Sequence, residues 1–209
     1  MYNQPSSLRV FRDLLNSWAR TDSLSKDLRD FGRSKKELRL VFFIFLLFSI
    51  LFYIINANFR IKEEGVTYIP LFIHIFIVIL CPLSYKVTIN LLVKAGPDVD
   101  QRDGVRNSLY FFIAINVFLY SLLSSAVIIS YFIGSHSREY GVLFLDVSHI
   151  VIFIFILWRH SENTNIVFGL SNRKKSVVVS FASYIISFFL VFLLLGSVVF
   201  IVYALTKPN

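Results

Sequence analysis

Long uninterrupted apolar runs alternate with short polar stretches along this chain. Five runs, at about 40–57, 67–93, 108–133, 141–158 and 177–205, carry only two formal charges, Lys86 in the second and Asp146 in the fourth. A helix of about 20 apolar residues crosses roughly 30 Å of hydrocarbon at about 1.5 Å per residue, so each run is long enough to span a bilayer. Backbone amides in lipid must be satisfied internally, and the runs lack the two-residue alternation of barrel strands, so the expected structure is helical. The pattern therefore predicts an all-α polytopic integral membrane protein with five transmembrane helices. No internal repeat is evident, and an odd number of spans does not divide into the two halves of a standard secondary transporter. Pro82 inside the second run removes one intrahelical hydrogen bond and predicts a kink.

The pattern changes before the first span. Leu8, Phe11, Leu14, Leu15 and Trp18 recur at three- and four-residue spacing, with Arg9, Arg12, Asp13, Asn16 and Arg20 between them. That is the periodicity of an amphipathic helix. A second helix is expected over Leu24, Leu28 and Phe31, with Thr21 or Ser23 as its cap, and Gly32 and Ser34 mark a break before the Lys35-Lys36 pair. The chain thus divides into a basic tail, 1–38, and a five-helix domain, 39–206. Leu8, Phe11, Leu15 and Trp18, with Arg9 and Arg12, form a candidate binding face. It suits the headgroup layer, the ends of the bundle, or a protein partner.

Composition sharpens this picture. Of 209 residues 56% are hydrophobic and 16% charged, 23 are Phe, and the mean hydropathy is +0.69. Little soluble domain remains to bind nucleic acid, so the net charge of +8 reads as membrane topology. Sixteen of the 21 Lys and Arg lie in the tail and in loops 94–107 and 159–176, and four on the opposite side. Cations accumulate on the cytoplasmic side, so the amino terminus is expected in the cytoplasm and the stretch Thr206 to Asn209 outside. Lys35, Lys36, Lys86, Arg159, Arg173, Lys174 and Lys175 are candidate anchors whose heads snorkel toward anionic lipid phosphates. The first apolar run starts about forty residues in, without a small-residue cleavage site, which argues against a cleaved signal peptide. The single cysteine, Cys81, cannot form an intramolecular disulfide, and its apolar setting suggests packing.

Ionisable groups inside spans are costly and are functional candidates by default. His74, Asp146 and His149 each fall about 8 to 12 Å below the outer surface, counting about 1.5 Å per residue. Asp146 and His149 share a helical face, and His74 joins them if spans two and four are neighbours. The trio can pin helices together, handle protons or ions, or ligate a metal. Lys86 shares a face with Asn90 near the inner end of span two. The loop from Ala95 to Gly104 carries Asp98, Asp100 and Asp103 but lacks the terminal Glu of a calcium loop, so it reads as a solvated turn with helix capping. Ser161 to Ser176 reads as a polar connector, and Ser180, Ser183 and Ser187 as a small-residue packing face. Phosphate loops, nucleophile elbows, paired cysteines and zinc motifs are all missing from the sequence, so neither an enzyme, a cofactor nor a resident metal is expected.

The stretch Asn90-Leu91-Leu92-Val93-Lys94-Ala95-Gly96, a polar linker, and Ser108-Leu109-Tyr110 opening the third span resemble the Yip family of five-span membrane proteins, particularly its short bacterial members. The resemblance implies the same fold and topology. Eukaryotic members are trafficking factors that bind small GTPases and one another through Asp-Leu-Tyr-Gly-Pro and Gly-Tyr motifs. Both motifs are missing here, so no functional residues carry over. The sequence leads to a scaffold or adaptor that meets lipid headgroups and a membrane-protein partner or a second copy. A small carrier using His74, Asp146 and His149, or a membrane-embedded immunity protein against a pore-forming toxin, are the alternatives.

Overall fold

Each apolar run coincides with a helix in a computed structural model of the protein, which describes residues 6–60, 68–170 and 172–206. Seven helices follow one another: α1 (Ser6–Ala19), α2 (Thr21–Phe31), α3 (Lys35–Arg60), α4 (Tyr68–Leu92), α5 (Gln101–Gly134), α6 (Arg138–Val167) and α7 (Arg173–Thr206). The last five are long and apolar enough to cross a membrane, and no strand occurs among the described residues. The fold is that of an all-α, five-span membrane protein.

The helices overrun the apolar runs, mostly at the end of the bundle that carries α1 and α2. α5 starts at Gln101 rather than 108, because the Asp100 carboxylate accepts from the Arg102 and Asp103 amides at 2.8 and 3.1 Å. α6 continues to Val167, which corrects the expected connector from Ser161 onward. Its polar residues Ser161, Asn163 and Thr164 are buried against protein, so they extend the helix instead of meeting water. The connectors after α4 and α6 are tied together by the Gly96 amide donating to the Phe168 carbonyl at 2.8 Å. Pro82 lies within α4 without ending it.

α5 is the central helix, packed against α3, α4 and α6, while α7 lies on α4 and α6. From Gly104 to Val117 every α5 residue except Arg106 is buried, as expected of a helix enclosed on all sides. Outward positions of the spans are large and apolar, including Phe43, Leu83, Ile150 and Phe189. Ser180, Ser183 and Ser187 are buried on α7, small enough for its neighbours to approach. α5 and α6 approach closely where a Cβ on Gly141 would sit 2.8 Å from Gly134 Cα and 2.7 Å from the Ser130 carbonyl oxygen.

The tail is folded onto the bundle. α1 packs on α3 and α5, and α2 on α5 and α6. Their inner faces are Val10, Asp13, Leu14 and Ser17, then Thr21, Leu24, Ser25 and Leu28. Gly32, at φ +63°, ends α2 in a conformation that favours glycine. Ser34 then opens α3 with a capping box: its amide and hydroxyl donate to Glu37 Oε2 at 2.8 and 2.9 Å, and the Glu37 amide donates back to Ser34 Oγ at 3.2 Å. Residues 6–31 thus form a cap on one end of the five-helix bundle.

Candidate functional site

Two buried polar clusters hold the capped end. In the first, Arg33 Nε donates to Asp13 Oδ2 at 2.7 Å and Nη2 to Asp13 Oδ1 at 3.2 Å. Nη2 also donates to Asp27 Oδ2 at 2.9 Å, and Nη1 to the Gly32 carbonyl at 2.7 Å. The Tyr110 hydroxyl of α5 completes Asp13 at 3.0 Å. Burial alone lowers the pKa of a guanidinium, but the bonds and charge of Asp13, with the bond to Asp27, outweigh it and hold Arg33 above its ordinary value. The cluster joins α1, α2, the turn before α3 and α5 at one point. Arg12 pairs with Asp27 at 3.3 Å and Arg9 with Glu37 at 3.4 Å around it. On the α6 side, Ser25 Oγ donates to Asn163 Oδ1 at 3.0 Å, and Asn107 Nδ2 to the Leu28 carbonyl at 2.7 Å.

The second cluster lies where α4, α5, α6 and α7 meet. The Tyr85 hydroxyl is 2.7 Å from both Ser108 Oγ and His160 Nε2, and all three residues are buried. Phe112 stacks on Tyr85 with ring centroids 4.2 Å apart, and Tyr184 meets His160 edge-on at 5.1 Å. Thr164 Oγ1 donates to the His160 carbonyl and accepts from Ser180 Oγ, which extends the chain of hydroxyls to α7. His160 Nδ1 is buried without a hydrogen-bond partner among the described residues. A single imidazole, capped by a phenol and walled by aromatic rings, is a geometry for locking four helices in register.

The trio His74, Asp146 and His149 does not assemble. His74 Nε2 lies 2.9 Å from Ser49 Oγ and 3.1 Å from its carbonyl, with Tyr53 of α3 and Tyr120 of α5 against the ring. His149 Nδ1 is 2.7 Å from the Leu145 carbonyl of its own helix, and Asp146 is exposed with no hydrogen bond or ion pair among the described residues. A shared layer requires His74 to face α6, but its ring is turned to Ser49 and Tyr53 of α3 and to Tyr120 of α5, and α4 meets α6 at Tyr85–His160, about three turns nearer the capped end. Among the described residues no three His, Cys, Asp or Glu side chains gather as a metal site.

The remaining candidates divide. Leu8, Phe11, Leu15 and Trp18 stand outward on α1, between 44% and 61% exposed, while Val10 and Leu14 turn inward. Trp18 stacks on Phe118 of α5 at 5.4 Å, which makes the stripe continuous with the outer surface of a span. Lys35, Lys36, Lys86, Lys174 and Lys175 are exposed. Arg159 is half-buried, paired with Glu162 at 3.1 Å and set over the Trp158 ring at 4.9 Å. Arg173 opens α7. Sequence reasoning missed Asp13, Arg33, Tyr85 and His160. His160 escapes notice because the apolar run stops at Trp158, although Arg159-His160-Ser161 continues the helix. No protein family, characterised protein or solved structure matches the chain.

Proposed function

We propose that the protein is an integral membrane scaffold or adaptor with its capped end in the cytoplasm, acting through its helical surface and the outward face of α1. The observation that carries this reading is the buried Arg33–Asp13 pair, which fixes the cap in place and leaves Leu8, Phe11, Leu15 and Trp18 outward. A fixed helix with an apolar stripe and exposed Arg20 at its end suits the headgroup layer, and offers a partner's helix a preformed seat. The sixteen-to-four split of cations supports the orientation. The five-span plan with an amphipathic first segment is in keeping with the Yip-like resemblance and with work in membrane organisation. The separation of His74 from Asp146 and His149 weighs against the carrier reading. An immunity protein would use the same helical surface and is distinguished by a toxin challenge.

The test is co-purification from native membranes in mild detergent. Deleting the cap would uncover buried α5 and α6 surface, so the informative comparison is the full chain against L8S/F11S, which alters exposed positions only. A partner recovered with the full chain and lost with the variant supports the adaptor role. Equal recovery, or no partner with either, overturns it.

A further inference from the structure

At the capped end a groove of about 970 Å³ runs between α3, α4 and α5, within the size range of small-molecule sites. Four cations stand in its walls: Lys35 from α3, Lys86 from α4, and Arg102 and Arg106 from α5. Arg106 pairs with Asp103 at 2.9 Å, and the Asp100 carboxylate is occupied in capping α5. Lys35, Lys86 and Arg102 have no ion pair among the described residues, so the groove keeps a surplus of positive charge. Apart from Asn90 its other walls are apolar, and Leu83, Val87 and Leu91 are exposed on the surface of a span.

The groove continues along the helices. Leu38, Leu83 and Leu109 belong both to it and to a second trough of about 230 Å³ floored by Phe42, Ile79 and Ile113. Cations at one end and an apolar trough at the other make a shape with two chemistries. A soluble anion would use only the first and leave the trough unfilled. A zwitterionic lipid would bring its own cation against Lys35 and Lys86. We infer that this groove binds one anionic phospholipid, its phosphate on Lys35, Lys86 and Arg102 and an acyl chain along the trough. The site also explains why Lys86 stands within a span: its head reaches the phosphate layer and has a counter-charge there. This inference rests on membrane insertion and is independent of the scaffold role.

The experiment is a lipid titration of the delipidated full chain in detergent, read by native mass spectrometry. The probes are phosphatidylglycerol, phosphatidylcholine with the same acyl chains, and glycerol phosphate as the headgroup alone. One phosphatidylglycerol per chain is expected, with phosphatidylcholine bound at least about ten-fold more weakly and glycerol phosphate failing to compete. K86Q/R102Q removes two cations and weakens phosphatidylglycerol by roughly 30-fold. L83W fills the trough without changing charge and also weakens it, whereas K26Q/K174Q, outside the groove, does not. Equal binding of the two lipids, an equal loss in K26Q/K174Q, or undiminished binding in L83W overturns the site. Displacement by glycerol phosphate overturns the lipid in favour of a soluble anion. Thermal melting checks that each variant is folded; if K86Q/R102Q is not, K35Q and L83W carry the test, and no loss in either overturns the proposal.

Discussion

Arg33 and Asp13 meet at 2.7 Å with each side chain 1% exposed, joining the turn before the first span to the middle of the first helix. Breaking one side of a buried pair costs up to about 3–5 kcal/mol, since R33L leaves Asp13 with Tyr110 and the more distant Arg12 and D13L leaves Arg33 with Asp27, whereas replacing both by apolar residues is far milder. R33L and D13L are therefore each expected to lower the thermal midpoint in detergent strongly, and D13L/R33L less than either. Proteolysis between α1 and α2 should rise in the single variants. Because Arg33 is held above its ordinary pKa, its contribution is complete below the unfolded arginine value and fades only as pH rises beyond that. The midpoint change caused by R33K, which keeps a charge but loses the fork, should accordingly be the same at about pH 7 and 9.

Gly141 has backbone on the far side of its missing Cβ, so G141A must push α5 and α6 apart. A loss of about 1–3 kcal/mol is expected, measured by melting. Gly196 faces open space, and G196A should be neutral or stabilising by up to about 1 kcal/mol. Equal effects at the two positions would contradict the packing described.

Tyr85 serves His160 and Ser108 together, so Y85F leaves both without their phenol. A cost of about 1–3 kcal/mol is expected from the unsatisfied buried groups, readable in the unfolding midpoint. Y85F/H160F should recover part of it.

Asp146 is exposed and unbonded among the described residues, and a carboxylate within a span costs up to roughly 2.5–3.5 kcal/mol to insert, the full amount at the centre and less toward the ends. D146L should keep the fold and raise yield in the membrane. Loss of folded protein in D146L would show that the carboxylate has a partner.

The orientation has its own measurement. On a C81S background, S7C at the capped end should react with a membrane-impermeant maleimide only in inverted vesicles, and S135C, between α5 and α6, only in right-side-out ones. The reverse pattern would invert the topology.

Much of this architecture is legible from the chain because the dominant physical constraint is simple: apolar runs long enough to cross a bilayer become helices. The amphipathic stripe of α1 is also visible, but not which way it faces. Leu14 and Leu15 look equivalent in sequence, yet Leu14 is buried and Leu15 exposed, because Asp13 draws its side of the helix inward onto Arg33 and Tyr110. Hydropathy counts Asp13 as a surface residue and cannot register a partner twenty positions away. Ser34 reads in the sequence only as part of a break before Lys35, whereas its reciprocal bonds with Glu37 form a capping box that starts α3 there, about one turn before the apolar run. His74, Asp146 and His149 mislead for the opposite reason: depth along a helix can be counted, but the neighbours of each helix cannot.

The bond between Ser25 and Asn163 spans 138 positions of the chain, and that between Asp13 and Tyr110 spans 97. During synthesis, which runs from the amino terminus, α1 and α2 emerge well before their seats on α5 and α6 are made. Residues 6–31 must therefore wait until the fourth span, α6, is in the membrane before they can settle fully. A seated cap is in this sense a certificate of late assembly, issued only to chains whose first four spans are already built.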